Sequence, residues 1–222
     1  MAKRGPLNCP LVALATVVSN AGGVIRLVLL MISGVFATFV PYPSQGIADP
    51  GLFGPDGYRI THYRGKLPDS AGNAVTITAD QLKNLKQETD VLMLDVAGIR
   101  HYDITENGDF ITPERHRSIP GSAWLPVIGW GVLEPWQQEY LDESLRELTA
   151  ENQAAPIVVF CKVDCWLGWN AVQRISKMGY RNIYWFPGGT EIWEDAGYPL
   201  QDITPFPLSK DLAARVFIGP SF

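Results

Sequence analysis

Cysteine and histidine are scarce in this chain, with three of each among 222 residues. A structural zinc site needs about four ligands. None of His62, His101 and His116 has metal-ligand spacing to another, and the C-x-x-C-H of haem attachment is absent. Basic clusters are missing too. The formal net charge is −5, which argues against nucleic acid and anionic membrane as partners. No apolar run reaches the roughly 20 residues of a spanning helix, and no internal repeat is visible. An apolar fraction of 46% with 18% charged residues suits one globular domain with tails.

Negative charge is absent from one end in particular. Lys3, Arg4 and Arg26 are the only charges before Asp49. The stretch "RLVLLMISGVFATFV" (26–40) has one charge followed by an apolar run in the roughly 7–15 residue range of a signal h-region. Small residues Gly46 and Ala48 precede a cut ahead of Asp49. Residues 1–48 are therefore read as a signal peptide, with an uncleaved anchor or a buried amino-terminal helix as the alternatives, and the protein as periplasmic or secreted. A chain starting at Asp49 keeps all 23 acidic residues and loses three of 18 basic ones, a net of −8. Cys9 leaves with the leader, so Cys161 and Cys165 are the only cysteines of the mature chain, in an oxidising compartment.

What is present is an alternation of buried strands and amphipathic helices. Residues 49–78, rich in Gly, Pro and Asp, read as an irregular arm. Thr78 with Gln81 forms a capping box that starts a helix in "TADQLKNLKQ". "VLMLDV" (91–96), "PIVVF" (156–160) and "NIYWF" (182–186) are continuous apolar runs, the mark of strands buried on both faces. A polar loop of unusual length, 97–117, follows the first of them. "EPWQQEYLDESLRELTAE" (134–151) has helical spacing of Trp136, Tyr140, Leu141, Leu145 and Leu148. "CWLGWNAVQRISKMG" reads as a helix with Trp169, Val172, Ile175 and Met178 on its apolar face. "GGTEIWEDAG" is a short final helix, and 205–222 reads as a peripheral tail. Strands alternating with helices predict a mainly parallel sheet covered on both sides, spanning 79–204. All seven tryptophans lie between Trp124 and Trp193, in the second half.

Cys161 stands where a buried strand gives way to a short loop and then a helix. Loop amides and the positive helix end favour an anion there, which stabilises thiolate or persulfide. Lys162 adds a positive charge beside it, and Asp164 opposes it. A disulfide to Cys165 is geometrically reasonable, since helical residues four apart have Cα atoms about 6 Å apart. Closing so small a ring adds little loop-closure stability, so such a bond would serve redox chemistry rather than stapling. Asp95, at its strand end, is expected to accept loop amides. His116 is expected at the surface, and Arg100, Arg115 and Arg117 are candidate sources of positive charge for the site. Gly168, in an early helical turn, costs about 1 kcal/mol relative to Ala and is expected to permit a close approach.

"SIPGSAWLP", "VLMLDV", "VVFC" with its loop and "GYRNIYWFPGGTEIWEDAGYPL" together resemble the signatures of the rhodanese-like fold, from about Asp80 to Leu200. More narrowly, "FCKVDCW" with "WNA", "GYRITHYRGKLP" and "SIPGSAWLPVIGWG" resemble a rhodanese-like subfamily named for a C-x-x-x-C-W motif. The resemblance implies Cys161 as catalytic residue, with Lys162, Val163, Asp164, Trp166 and Leu167 around the substrate and Cys165 as helper. It also implies a place in catabolism dependent on pyrroloquinoline quinone (PQQ), with no cofactor of the chain's own. Trp166 stands where rhodanese sulfurtransferases often carry an arginine, and Ala97 where the fold often has one.

Three functions remain open at this level. The first is persulfide-based sulfur transfer at Cys161 with Cys165 as resolving thiol, the partner being a small sulfane-sulfur donor or a protein thiol. The second is thiol–disulfide exchange by the pair, serving a PQQ-dependent dehydrogenase system. The third is a binding module with an inert disulfide, in which Trp166 and Trp169 stack on a flat ligand, although aromatic residues at this spacing more often belong to a core.

Overall fold

The computed structural model describes residues 51–218; the leader expected over 1–48 lies outside them. Five strands form the central sheet: β1 (Val75–Thr76), β2 (Leu92–Asp95), β6 (Ser122–Trp124), β7 (Ile157–Phe160) and β8 (Ile183–Phe186). Their order is β1-β8-β7-β2-β6, and every neighbouring pair is parallel. The three expected apolar runs supply β2, β7 and β8 at its centre. Burial on both faces is why they carry no polar alternation.

Side chains alternate between two cores. Leu94, Ile157, Val159, Ile183 and Trp185 face α2 (Pro135–Leu148), α3 (Trp166–Lys177) and α5 (Lys210–Ile218). Met93, Val158, Phe160 and Phe186 face Leu82 of α1 (Ala79–Glu88) and Trp193 of α4 (Gly189–Asp195). The capping box is formed as expected: Gln81 N–H donates to Thr78 Oγ1 at 3.3 Å, and Thr78 N–H to Gln81 Oε1 at 2.8 Å. Pro135 opens α2, where its missing N–H costs nothing.

The long loop is folded rather than open. It contains the hairpin of β3 (Asp103–Ile104) and β4 (Phe110–Ile111), then β5 (His116–Ser118), which pairs antiparallel with β9 (Gln201–Ile203).

Two expectations change. The segment after Pro205 is not peripheral: Leu208, Leu212 and Ala213 are buried against α2, and Tyr140 Oη donates to the Phe206 carbonyl at 2.6 Å. Its apolar residues are too few for a periodicity signal, yet they close one end of a core. The inward face of α3 is also rotated from the expected stripe. Trp166, Leu167, Ala171, Val172 and Ile175 are buried, while Trp169 and Met178 are only partly covered. Asn170 and Arg174 are buried as well, because α3 has polar partners on that side. Among the described residues no helix is long and apolar enough to cross a membrane.

Candidate functional site

The register of the sheet fixes where chemistry can occur. Asp95, Phe160 and Phe186 are aligned as the last residues of β2, β7 and β8. The chain leaves all three strands at one edge, the usual ligand edge of an open α/β sheet. Cys161 is the first residue past β7 and Cys165 immediately precedes α3. The two are joined by a disulfide with Cα atoms 6.1 Å apart. They are only 3% and 6% exposed. The intervening residues form a turn rather than helix, and Asp164 takes a left-handed conformation, φ 55°.

The arm runs along this turn. Arg64 pairs antiparallel with Cys165, Trp166 N–H donates to the Tyr63 carbonyl at 2.9 Å, and Gly65 N–H to the Asp164 carbonyl at 2.9 Å. From the other side, Val163 N–H donates to Glu191 Oε2 at 2.7 Å, and Thr190 N–H to the Cys161 carbonyl at 3.0 Å. Glu191 reaches Arg64 at 3.7 Å, both side chains being substantially exposed. Loop amides and the helix start are expected to favour an anion at Cys161; the amides of Val163 and Trp166 have other partners. A buried donor must be satisfied by something, and here a backbone carbonyl and a carboxylate do so.

A cavity of about 180 Å³ adjoins the disulfide. Cys161, Cys165, Lys162 and Leu167 line it together with Tyr63 and Arg64 of the arm and Gly98, Arg100 and Trp130. Tyr63 and Trp130 meet edge to face with centroids 5.1 Å apart, and the Tyr63 hydroxyl accepts from Gly131 N–H at 3.0 Å, which fixes that wall. Gly98 has no side chain because a Cβ there would sit 2.7 Å from the Trp130 ring and 2.8 Å from Leu167 Cδ1.

Other expected site residues lie elsewhere. Val163 and Asp164 border a separate depression with Lys66 and Pro187. The Trp166 ring is turned away, 5.5 Å from Phe53, with the Arg59 guanidinium 4.7 Å above it. Trp166 and Trp169 contact each other and the arm, which is the core reading of this aromatic pair. Gly168 is not required for a close approach, contrary to expectation, since a Cβ there would meet Cys161 Cβ at an ordinary 3.5 Å.

Of the candidate cations, Arg100 reaches the cavity. Arg115 and Arg117 border a different groove with Lys162 and Glu191, where Arg117 pairs with Glu194 at 3.0 Å. His116 is not at the surface: its side chain is 8% exposed and Nε2 lies 2.7 Å from Asp95 Oδ2. Asp95 also accepts from Ser118 Oγ at 2.5 Å and, as expected of it, from a loop amide, Ala97 N–H at 2.9 Å. A carboxylate with no exposure must have such donors, and the histidine is drawn inward to supply one.

Reading the sequence missed Arg64, Tyr63 and Trp130, and it took "WNA" only as part of a motif. Asn170 is fully buried and joins three segments. Its Oδ1 accepts from Arg59 N–H, and its Nδ2 donates to the carbonyls of Arg59 and Gly129, all at 2.9 Å. Among the described residues no group of three or more His, Cys, Asp or Glu could hold a metal ion.

Solved structures with this architecture include the rhodanese-like domain of the Alr3790 protein from Anabaena sp. (19% identity, 58% of this chain and 79% of that one, TM-score 0.40). SseA of Escherichia coli, described with the 3-mercaptopyruvate sulfotransferases, matches at 15% identity over 61% of this chain and 53% of its own, TM-score 0.43. Thiosulfate sulfurtransferase from Pseudomonas aeruginosa matches at 24% identity over 68% of this chain, TM-score 0.39, and the match spans less than a quarter of that protein, 23%. No curated protein sequence matches the chain. Residues 78–196, more than half of the chain, match the family model of the rhodanese-like domain, and they include the disulfide and every strand from β2 to β8; the protein belongs to the rhodanese-like domain family.

Proposed function

We propose that the protein transfers sulfur through a persulfide on Cys161, with Cys165 as the resolving thiol. The reduced Cys161 thiolate attacks the outer sulfur of a sulfane donor; the bond from that sulfur to the donor breaks, and the donor remnant leaves with the electron pair. Cys165 thiolate then attacks the inner sulfur, forming the Cys161–Cys165 bond and releasing hydrosulfide. A dithiol of a partner protein returns the pair to the reduced state by exchange. The observation that carries this reading is a disulfide seated at the carboxyl end of a central strand, beside a cavity, in a rhodanese-like domain. The C-x-x-x-C-W resemblance and the acid-free leader with its apolar run support a periplasmic protein serving PQQ-dependent alcohol catabolism, the quinone belonging to the partner dehydrogenase.

The test is mass spectrometry of the reduced protein after incubation with a sulfane donor. The expected result is a gain of one sulfur on the peptide containing Cys161, longer lived in Cys165→Ser. Thiol–disulfide exchange is the second reading, favoured by the bond already present between the two sulfurs. It is the one to adopt if no donor adds sulfur while the pair cycles by two hydrogens with a protein thiol. Unchanged behaviour of the Cys161→Ser, Cys165→Ser double variant in cells would favour a binding module instead.

A further inference from the structure

We propose that Arg64, Arg100 and Lys162 make the cavity beside the disulfide an anion subsite, and that sulfite enters it and opens the Cys161–Cys165 bond. The proposal rests on the reading of this pair as the working group and names what reaches it. Three cations line the cavity and no carboxylate does, in a chain of net charge −5. Arg64 is shared with Glu191 on its outer side, at 3.7 Å. The Arg100 guanidinium lies 5.6 Å from the Trp130 ring centroid, and Glu114 takes its backbone N–H, which fixes where the residue begins. The three cations that line the cavity come from the arm, from the loop after β2 and from the turn between the cysteines. No single sequence motif contains all three.

Size restricts the ligand further. A volume of about 180 Å³ is below the roughly 300–1,000 Å³ of pockets for drug-sized molecules. At about 30 Å³ for each water-sized group it has room for about six non-hydrogen atoms. A pyramidal sulfur oxyanion, with four non-hydrogen atoms, fits within it. Against a disulfide the ligand must also be a soft nucleophile, and sulfite carries a lone pair on sulfur. That pair attacks one Sγ, the S–S bond breaks, and the other Sγ leaves with the bonding electrons. The products are an S-sulfonate on one cysteine and a thiolate on the other. The sulfite sulfur is oxidised by two electrons and the cystine takes up the same two, so no further reductant is required.

The experiment follows opening of the disulfide in the oxidised full-length protein by thiol titration and peptide mass. Sodium sulfite is the nucleophile, sulfate a non-nucleophilic competitor, and an uncharged water-soluble phosphine a second, neutral reagent. The expected rate saturates with sulfite and is slowed by sulfate. It falls about tenfold at low sulfite in Arg64→Gln and in Arg100→Gln, with the phosphine rate unchanged. A sulfite rate that stays linear and equal in the variants overturns the proposal. So does a parallel fall with both reagents, which would mean altered access to the bond. Sulfur gain on reduced Cys161 is scored separately: its absence with sulfite opening intact refutes persulfide transfer alone, and the reverse pattern refutes the subsite alone.

Discussion

Asn170 is the residue on which the arm's attachment turns, and replacing it by alanine tests that directly. Its side chain makes three hydrogen bonds of 2.9 Å, two to the backbone of Arg59, 111 residues away in sequence, and one to Gly129. Asn170→Ala leaves one backbone N–H and two carbonyls without these partners in a site with no solvent exposure. An orphaned buried group costs about 1–3 kcal/mol, and partial relaxation of the arm lowers the sum, so the expected loss is about 3–5 kcal/mol. For a domain of this size that is roughly 6–20 °C in Tm, at about 2–4 °C for each kcal/mol. The same break frees Phe53 and Arg59 from Trp166, so the arm becomes the first segment cut by a protease. Urea denaturation with tryptophan fluorescence gives the energy, and timed proteolysis with mass mapping gives the location. A loss under about 1 kcal/mol, or cleavage that begins elsewhere than 51–70, would refute the claim that Asn170 fastens the arm.

Two glycines near the disulfide should respond in opposite directions. Gly168→Ala gains about 1 kcal/mol in thermal or urea unfolding, because the helix gains a better former and its Cβ meets Cys161 Cβ at 3.5 Å. Gly189→Ala loses more than about 2 kcal/mol, since φ is 57° and a Cβ would lie 2.5 Å from the Cys161 carbonyl oxygen, against backbone that cannot swing away. Acid should loosen the Arg100 turn. The Arg100 backbone N–H above all, with that of His101, holds Glu114 below the ordinary carboxylate range. A depressed folded pKa contributes stability above the unfolded value that is lost as pH falls through the folded one. The amide resonances of Arg100 and His101 should therefore titrate with a midpoint below that of a free glutamate, and Glu114→Gln should abolish the transition.

Much of the fold was legible because its signals are local. Three apolar runs became the centre of the sheet, the Thr78–Gln81 box formed, and Gly197, left-handed at φ 82°, follows the end of α4. Part of the site was legible for the same reason: strand, cysteine, short turn and helix are contiguous in sequence. Errors arose where a residue's environment comes from distant segments. The His116 side chain is turned inward because Asp95, 21 residues earlier, needs a donor. Leu208 and Leu212 are core residues because α2 leaves a face to cover.

The sequence by itself determined the alternating architecture, the cysteine pair and the edge of the sheet where that pair stands. Each follows from periodicity, capping or spacing within a few residues. Only the tertiary structure decided that the arm runs against the Cys161–Cys165 turn, that the amides of Val163 and Trp166 already have partners, and that Arg64 and Arg100 line one cavity with the disulfide. Those arrangements are contacts between segments far apart along the chain, and side chains joined only by folding leave no pattern in the order of residues.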